Sequence, residues 1–297
     1  MLLLTALIWG CAFVAQSTAM DLIGPFTFQG VRSVIGSAVL IPVIMLMDGL
    51  KKKEGTYKKP SDSEKRVLLT GGIICGVIMC VASNLQQFGI MTTDPGKAGF
   101  ITAMYILIVP VLGLFLKKRV PPRIWLCILA ALAGLFFLCV NSGTGFSVSG
   151  GDIFVFLCAI VFSIHILAVD HYAPLVDGVR LSCIQFFVSG VLSMVLMFTF
   201  EKPSVSSLVS AAVPILYAGI GSCGIAYTLQ ILGQKYTKPT VASLLMSLES
   251  VFAVLAQIVI LRIIPSDRET FGCILMFAAI IAAQLPERRK AKEQVNM

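Results

Sequence analysis

The sequence predicts an all-α polytopic membrane protein: ten transmembrane helices built as two inverted five-helix repeats. Three observations carry this expectation. Of 297 residues, 57% are hydrophobic and 13% charged, about half the charged share of soluble proteins, and the mean hydropathy is +0.93. The apolar residues fall into ten runs, each near the roughly 20 residues a helix needs to cross the hydrocarbon core. Two segments 144 positions apart also match one another in the middle of each half. The composition alone excludes a soluble enzyme, a disordered chain and a secreted disulfide scaffold.

In chain order the runs are 2–20, 25–47, 67–91, 96–116, 124–140, 152–171, 179–200, 209–233, 238–261 and 268–285. The first begins without the basic flank of a signal peptide, so it is expected to be a retained helix. The third and fourth are divided only by Thr92-Thr93-Asp94-Pro95-Gly96. That pentapeptide reads as a tight turn, because Pro95 and Gly96 punctuate a helix and 67–116 is too long for one crossing. All nine cysteines, from Cys11 to Cys273, lie inside apolar runs with no CxxC pair and no histidine at metal spacing, so they read as small packing residues. Gly72-x-x-x-Gly76 reads as a small-residue face for helix packing.

Lysine and arginine set the orientation, since short cytoplasmic loops hold their excess. With the N-terminus inside, the cytoplasmic connections and the tail hold eighteen, chiefly in the clusters Lys51 to Arg66, Lys117 to Arg123 and Arg288 to Lys292. The other side holds Lys97, Lys202, Arg262 and Arg268, with Arg32 set aside as intramembrane. The formal charge of +8 follows from this bias, and its expected partner is anionic inner-leaflet lipid. No aromatic interleaving or binding motif accompanies the basic clusters, so nucleic acid is not expected.

The repeat places Ala82, Leu85, Gln86, Gly89, Thr93, Pro95, Ala98 and Pro121 on Ala226, Leu229, Gln230, Gly233, Thr237, Pro239, Ala242 and Pro265. The copies lie five crossings apart. Five is odd, so they run in opposite directions. The expected units are residues 1–140 and 152–286, joined by a linker from Asn141 to Gly151, with 287–297 a basic cytoplasmic tail. Such halves can rock about a site near the midplane, the architecture of a secondary transporter.

Polar side chains at bilayer depth are costly and are functional candidates by default. Glu249 lies mid-way along the ninth span on a face with Ala242, Ala253 and Ala256, suited to proton exchange or to a cationic substrate. Its alternative is a structural carboxyl bonded to a neighbouring helix. Arg32 either snorkels outward or faces inward and holds a carboxylate, that of Glu249 or of a substrate. Lys97 reads as interfacial. Asn84, Gln86, Gln87, Tyr227 and Gln230 form the repeated polar band, open to a packing or a substrate role. Gln185 and Gln257 carry weaker signals. Trp9 and Tyr105 can wall a ring or a cation, or simply pack. His165 and Asp170 spell HxxxxD, but residues five apart on a helix point about 140° apart, so the pair cannot touch; His165 remains a cavity candidate. No metalloprotease, nucleotide-loop or serine-hydrolase motif occurs, and no cofactor is expected.

Several strings together carry a family likeness. Trp9-Gly10, Phe13-Val14, Gln29-Gly30-Val31-Arg32, Leu85-Gln86, Thr93 and the stretch Phe100 to Pro110 are joined by Gly151-Asp152, Phe162-Ser163-Ile164-His165, Leu181-x-x-x-Gln185, Ala226-Tyr227-x-Leu229-Gln230, Gln234 and Ser247-Leu248-Glu249-x-Val251-Phe252. Over essentially the whole chain the sequence resembles the EamA-type transporters of the drug/metabolite transporter superfamily. The resemblance implies a ten-helix secondary transporter with its cavity between the repeats, whose members move amino acids, sugars, nucleobase-like metabolites or toxic compounds. Two positions depart: Ser250 stands where the family has proline after the ninth-helix glutamate, and Arg262-Ile263 replaces a terminal Gly-Glu pair. The expectation is an inner-membrane exporter of a small molecule working by alternating access, with protons as a candidate coupling ion. A passive channel and a lipid-modifying enzyme are the alternatives.

Cysteine labelling of the turn at Asp94 and of its counterpart at Lys238 is expected to place them on opposite faces of the membrane. Reactivity of both from one compartment refutes the inverted repeat.

Overall fold

The structure, a computed structural model, describes residues 1–93, 95–118, 120–139, 149–252, 255–256 and 266–284. Among the described residues all regular structure is helical. The helices are α1 (Leu2–Met20), α2 (Pro25–Lys53), α3 (Asp62–Ile90), α4 in two pieces (Pro95–Ala103 and Tyr105–Phe115), α5 (Pro122–Cys139), α6 (Gly150–Tyr172), α7 (Gly178–Phe200), α8 (Ala212–Gln234), α9 (Pro239–Phe252) and α10 (Asp267–Gln284). A short helix, Val205–Ser210, precedes α8. Helices α1, α2, α3, α6, α7 and α8 are long and apolar enough to cross a membrane; the other four contain shorter apolar helices over their described residues. This is a multi-pass membrane protein.

Two helices run past their apolar stretches, for local reasons. The N-terminal extension of α3 is capped by Ser61, whose hydroxyl accepts from Glu64 N–H while the Glu64 carboxylate accepts from Ser61 N–H. This capping box satisfies two end donors at once. The C-terminal extension of α2 carries Lys51, Lys52 and Lys53, cations at the negative end of the helix dipole. A second capping box, Ser149 with Asp152, opens α6.

Antiparallel seams organise the bundle. Along α2 and α7, Glu201 receives Thr27 N–H at 2.8 Å, Gln29 donates to Ser189 at 3.1 Å, the Ser37 hydroxyl donates to the Cys183 carbonyl at 3.0 Å, and Arg180 donates to Asp48 at 2.5 Å. Residue numbers rise on one helix as they fall on the other. Helices α5 and α10 pair in the same sense: Arg123 donates to the Ala282 carbonyl, and Gly134 lies against Gly272 and Met276. The expected small-residue face packs α3 on α7, where a methyl group at Gly72 or Gly76 meets Ile184 or Val188 within 2.7 Å. Helix α1 crosses α8, with the Thr5 hydroxyl donating to the Ala226 carbonyl at 3.0 Å. Large apolar side chains such as Leu46, Phe115, Phe198 and Val213 point outward, as a lipid-facing surface requires. Cys11, Cys75, Cys80, Cys127, Cys158, Cys183 and Cys223 are thiols outside any disulfide.

Glu201 caps α2 from across the seam, accepting from Phe26 N–H, Thr27 N–H and the Thr27 hydroxyl at 2.9, 2.8 and 2.5 Å. Glu201→Ala is expected to lower the thermal unfolding midpoint in detergent by the equivalent of about 1–3 kcal/mol, the loss of charge-assisted bonds to backbone donors. Gly24→Ala is expected to act in the same direction, because its methyl group falls 2.3 Å from the Glu201 carboxyl carbon.

Candidate functional site

Helices α4 and α9 both break step next to a cavity, and they do so 144 residues apart. In α4, Met104 N–H bonds the Ile101 carbonyl at 3.1 Å and Ile108 N–H bonds that of Met104 at 3.2 Å. In α9, Leu248 N–H bonds the Leu245 carbonyl at 3.4 Å and Phe252 N–H bonds that of Leu248 at 2.9 Å. Each tight turn is a short three-ten interruption. The residue after each turn reaches the cavity. These are Tyr105 and Glu249, and the Tyr105 hydroxyl donates to Glu249 Oε1 at 3.0 Å. Serine rather than proline follows Glu249, yet the interruption is present.

The cavity is narrow, with about 40 Å³ open to the centres of water-sized molecules, and about 510 Å³ of empty space once its mouth is included. Helices α1, α2, α3, α4, α6, α8 and α9 all contribute to its wall. Arg32 enters from α2 and is 4% exposed, as is Glu249. Its Nε donates to Gln29 Oε1 at 2.7 Å, Gln29 is itself held by Ser33 and Ser189, and the guanidinium carbon lies 4.9 Å from the Phe28 ring centre. These partners turn Arg32 inward, which corrects the snorkelling alternative. Arg32 and Glu249 form no ion pair with each other among the described residues, although they share the cavity. The Arg32–Glu249 clamp is thereby also set aside.

Further polar atoms at the cavity lack protein partners. Trp9 Nε1 and Gln230 Oε1 are buried and unbonded. The Trp9 ring packs on Tyr227 with centres 4.6 Å apart. His165 Nε2 meets Gln185 Oε1 at 3.0 Å, leaving His165 Nδ1 and Gln185 Nε2 unpartnered. Gln230 donates to Gln234, which donates to the Ile166 carbonyl. Gln86 donates to Thr102 at 3.4 Å.

Of the expected residues, Trp9, Arg32, Gln86, Tyr105, His165, Tyr227, Gln230 and Glu249 line this one cavity. Asn84 and Gln185 do not. Asn84 donates to the Cys80 carbonyl and to Ser193, tying α3 to α7, and Gln185 stands behind His165. Gln87 donates to Gln16. His165 and Asp170 engage different partners, Gln185 and Lys118, so the HxxxxD string forms no pair. Sequence reasoning missed Phe13, Gln16, Thr102, Phe162, Ile166, Ser222 and Met246 at the wall. One signal was available: Thr102 and Met246 also lie 144 apart. Ser222 lies within a π-helical stretch of α8, Tyr217–Ala226, and Tyr227 directly follows it, a rare geometry that recurs at functional sites. Among the described residues no three His, Cys, Asp or Glu side chains converge to hold a metal. Gln257, Ala253, Asp94, Arg262-Ile263, the Lys97 side chain, linker residues 141–148 and the tail 287–297 lie outside the described residues.

A multi-pass helical bundle around a partly polar cavity is an architecture that membrane transporters use, and the comparisons specify the family. The EamA-like transporter family is matched over residues 1–140 and 149–283, and the chain belongs to that family. It is 29% identical over 286 residues to an uncharacterized transporter of Archaeoglobus fulgidus, covering 96% of this chain and 84% of that one. An uncharacterized transporter of Clostridium kluyveri is 22% identical over 261 residues, covering 84% and 78%. A solved structure, described only as the crystal structure of a protein, shares the fold with a TM-score of 0.75 at 20% identity over 95% of both chains.

Ser222→Phe is expected to fill the cavity. Any amino acid, nucleoside or sugar that raises the melting point of the wild-type protein should cease to do so in this variant. Its own stability should fall by no more than the roughly 1–3 kcal/mol of overpacking.

Proposed function

We propose that the chain is a secondary active transporter that exports a small metabolite across the cytoplasmic membrane, its halves, residues 1–140 and 152–286, rocking about the cavity. The observation that carries this reading is the cavity itself: a carboxyl and a guanidinium, both buried, face one space lined by both halves and are not paired with each other. A buried guanidinium without an ion-pair partner calls for a compensating anion, and a buried carboxyl for a cation or a proton. The remaining Arg32 nitrogens suit a carboxylate, held by charge-assisted bonds. Glu249 suits a cationic amine or, between cargoes, a proton. Phe13, Phe162, Trp9 and Tyr227 supply an apolar wall. We therefore take the cargo to be a zwitterion with an apolar side group, ahead of sugars and neutral nucleobase-like compounds.

Support for the inverted repeat comes from the antiparallel pairing of α2 with α7 and of α5 with α10, and from helix breaks 144 residues apart. Discontinuous helices at the cargo site are a general feature of inverted-repeat transporters. Cytoplasmic termini and a cytoplasmic 287–297 tail follow from the lysine and arginine bias. Proton coupling is proposed because Glu249 places a carboxyl at the cavity; export is the direction we propose, and directional flux decides it.

The test is directional flux in proteoliposomes under an imposed pH gradient. Glu249→Gln and Arg32→Ala are each expected to lower kcat/KM at least about tenfold, equivalent to about 1.4 kcal/mol. Wild-type flux by Glu249→Gln at every pH removes Glu249 from the mechanism. Unchanged cargo affinity in Arg32→Ala removes the carboxylate clamp. Flux without counterflow points to a channel.

A further inference from the structure

The geometry points to Tyr105 and Glu249 as a mated pair on the axis that exchanges the two halves, so that either half can present the working carboxyl, with Tyr105 as its positioning residue. This rests on the inverted-repeat transport cycle proposed above and deepens it.

The two residues are separated in sequence by 144 positions, the spacing of the repeat. In a two-fold arrangement a residue and its mate can touch only beside the axis, because their separation is twice the distance of each from it. The 3.0 Å bond from the Tyr105 hydroxyl to Glu249 Oε1 therefore sets both groups at the axis. Neighbouring pairs agree: Gln86 with Gln230 and Thr102 with Met246 are also mates, and all four line the same cavity. Mated backbone turns at Met104 and Leu248 deliver the two side chains. Packing follows the same line, since α2 meets α7, α4 meets α9 and α5 meets α10.

Among the mated pairs, an ionisable carboxyl enters at one place. Gln86 and Gln230 are identical and Thr102 and Met246 are both neutral, so of these mated pairs only Tyr105 and Glu249 puts a carboxyl opposite a hydroxyl. A carboxyl on the axis is displaced least when the halves exchange conformations, so it can face each side in turn without travelling. The hydroxyl of its mate keeps one oxygen oriented and leaves Oε2 for cargo or proton. Other titratable or charged groups around the pair are Arg32 from α2, Cys158 and His165 from α6, and Tyr227 from α8.

The experiment is an exchange of the pair in proteoliposomes. Glu249→Tyr and Tyr105→Glu are each expected to lose at least about tenfold in flux, and the double exchange Y105E/E249Y is expected to recover at least about tenfold over Glu249→Tyr. A double variant that is monodisperse and melts like the wild type, yet transports no better than Glu249→Tyr, overturns the inference. If the double variant does not fold, Tyr105→Phe decides. Displacement of the midpoint of the pH–flux profile supports a positioning role, and a uniform loss at every pH, or no change, overturns it. Wild-type flux by Glu249→Gln instead defeats the coupling reading itself, so the two failures are distinguishable.

Discussion

Lipid offers no hydrogen bonds, so every polar group inside the bundle must find its partner in the protein, in water or in a bound molecule. Many do. Gln29, Gln234 and the amide nitrogens of Gln87 and Asn84 are each bonded to another helix or to a neighbouring turn. At the cavity Arg32 and Glu249 stay apart, and Trp9 Nε1 and Gln230 Oε1 have no partner. Unpartnered atoms also occur at helix contacts away from the cavity, at Asn84 Oδ1, Gln87 Oε1, Gln185 Nε2 and Ser250 Oγ, so what marks the cavity is the gathering of a guanidinium, a carboxyl and unpartnered atoms on one space.

The seams explain how the walls stay in place. Helices α2 and α7 are tied near one end by the Arg180–Asp48 and Lys51–Asp177 pairs and at the other by Glu201 capping α2. Exposed ion pairs contribute little singly, but the buried Gln29 and Ser37 bonds between them fix the register. The same seam aims Arg32, because Gln29, which orients the guanidinium, is held by Ser189 of α7. On the opposite flank α5 and α10 pack through small and branched side chains, including Ala131, Ala279 and Ile280. The interrupted helices α4 and α9 lie between these seams. Their turns direct Tyr105 and Glu249 into the cavity.

Much of the site was legible because a polar residue within an apolar run is expensive wherever it points. That logic finds Arg32, Gln86, His165, Gln230 and Glu249, but it cannot tell a cavity from a helix contact. Asn84 and Gln185 carry the same signature, yet one ties α3 to α7 and the other supports His165. Thr102, Ser222 and Met246 gave no such signal, being small or apolar. The breaks at Met104 and Leu248 contain neither proline nor glycine, so no local rule predicts them.

What the amino-acid order determined by itself is the membrane-spanning character, the helix count it leads one to expect and the 144-residue repeat, since hydropathy and periodicity act along the chain. What only the tertiary structure decided is which polar atoms remain unpartnered. Pairing is a matter of distance in space: Tyr105 and Glu249 are 144 residues apart in the chain and 3.0 Å apart in the fold, whereas Arg32 and Glu249, the one evident ion pair on paper, do not meet.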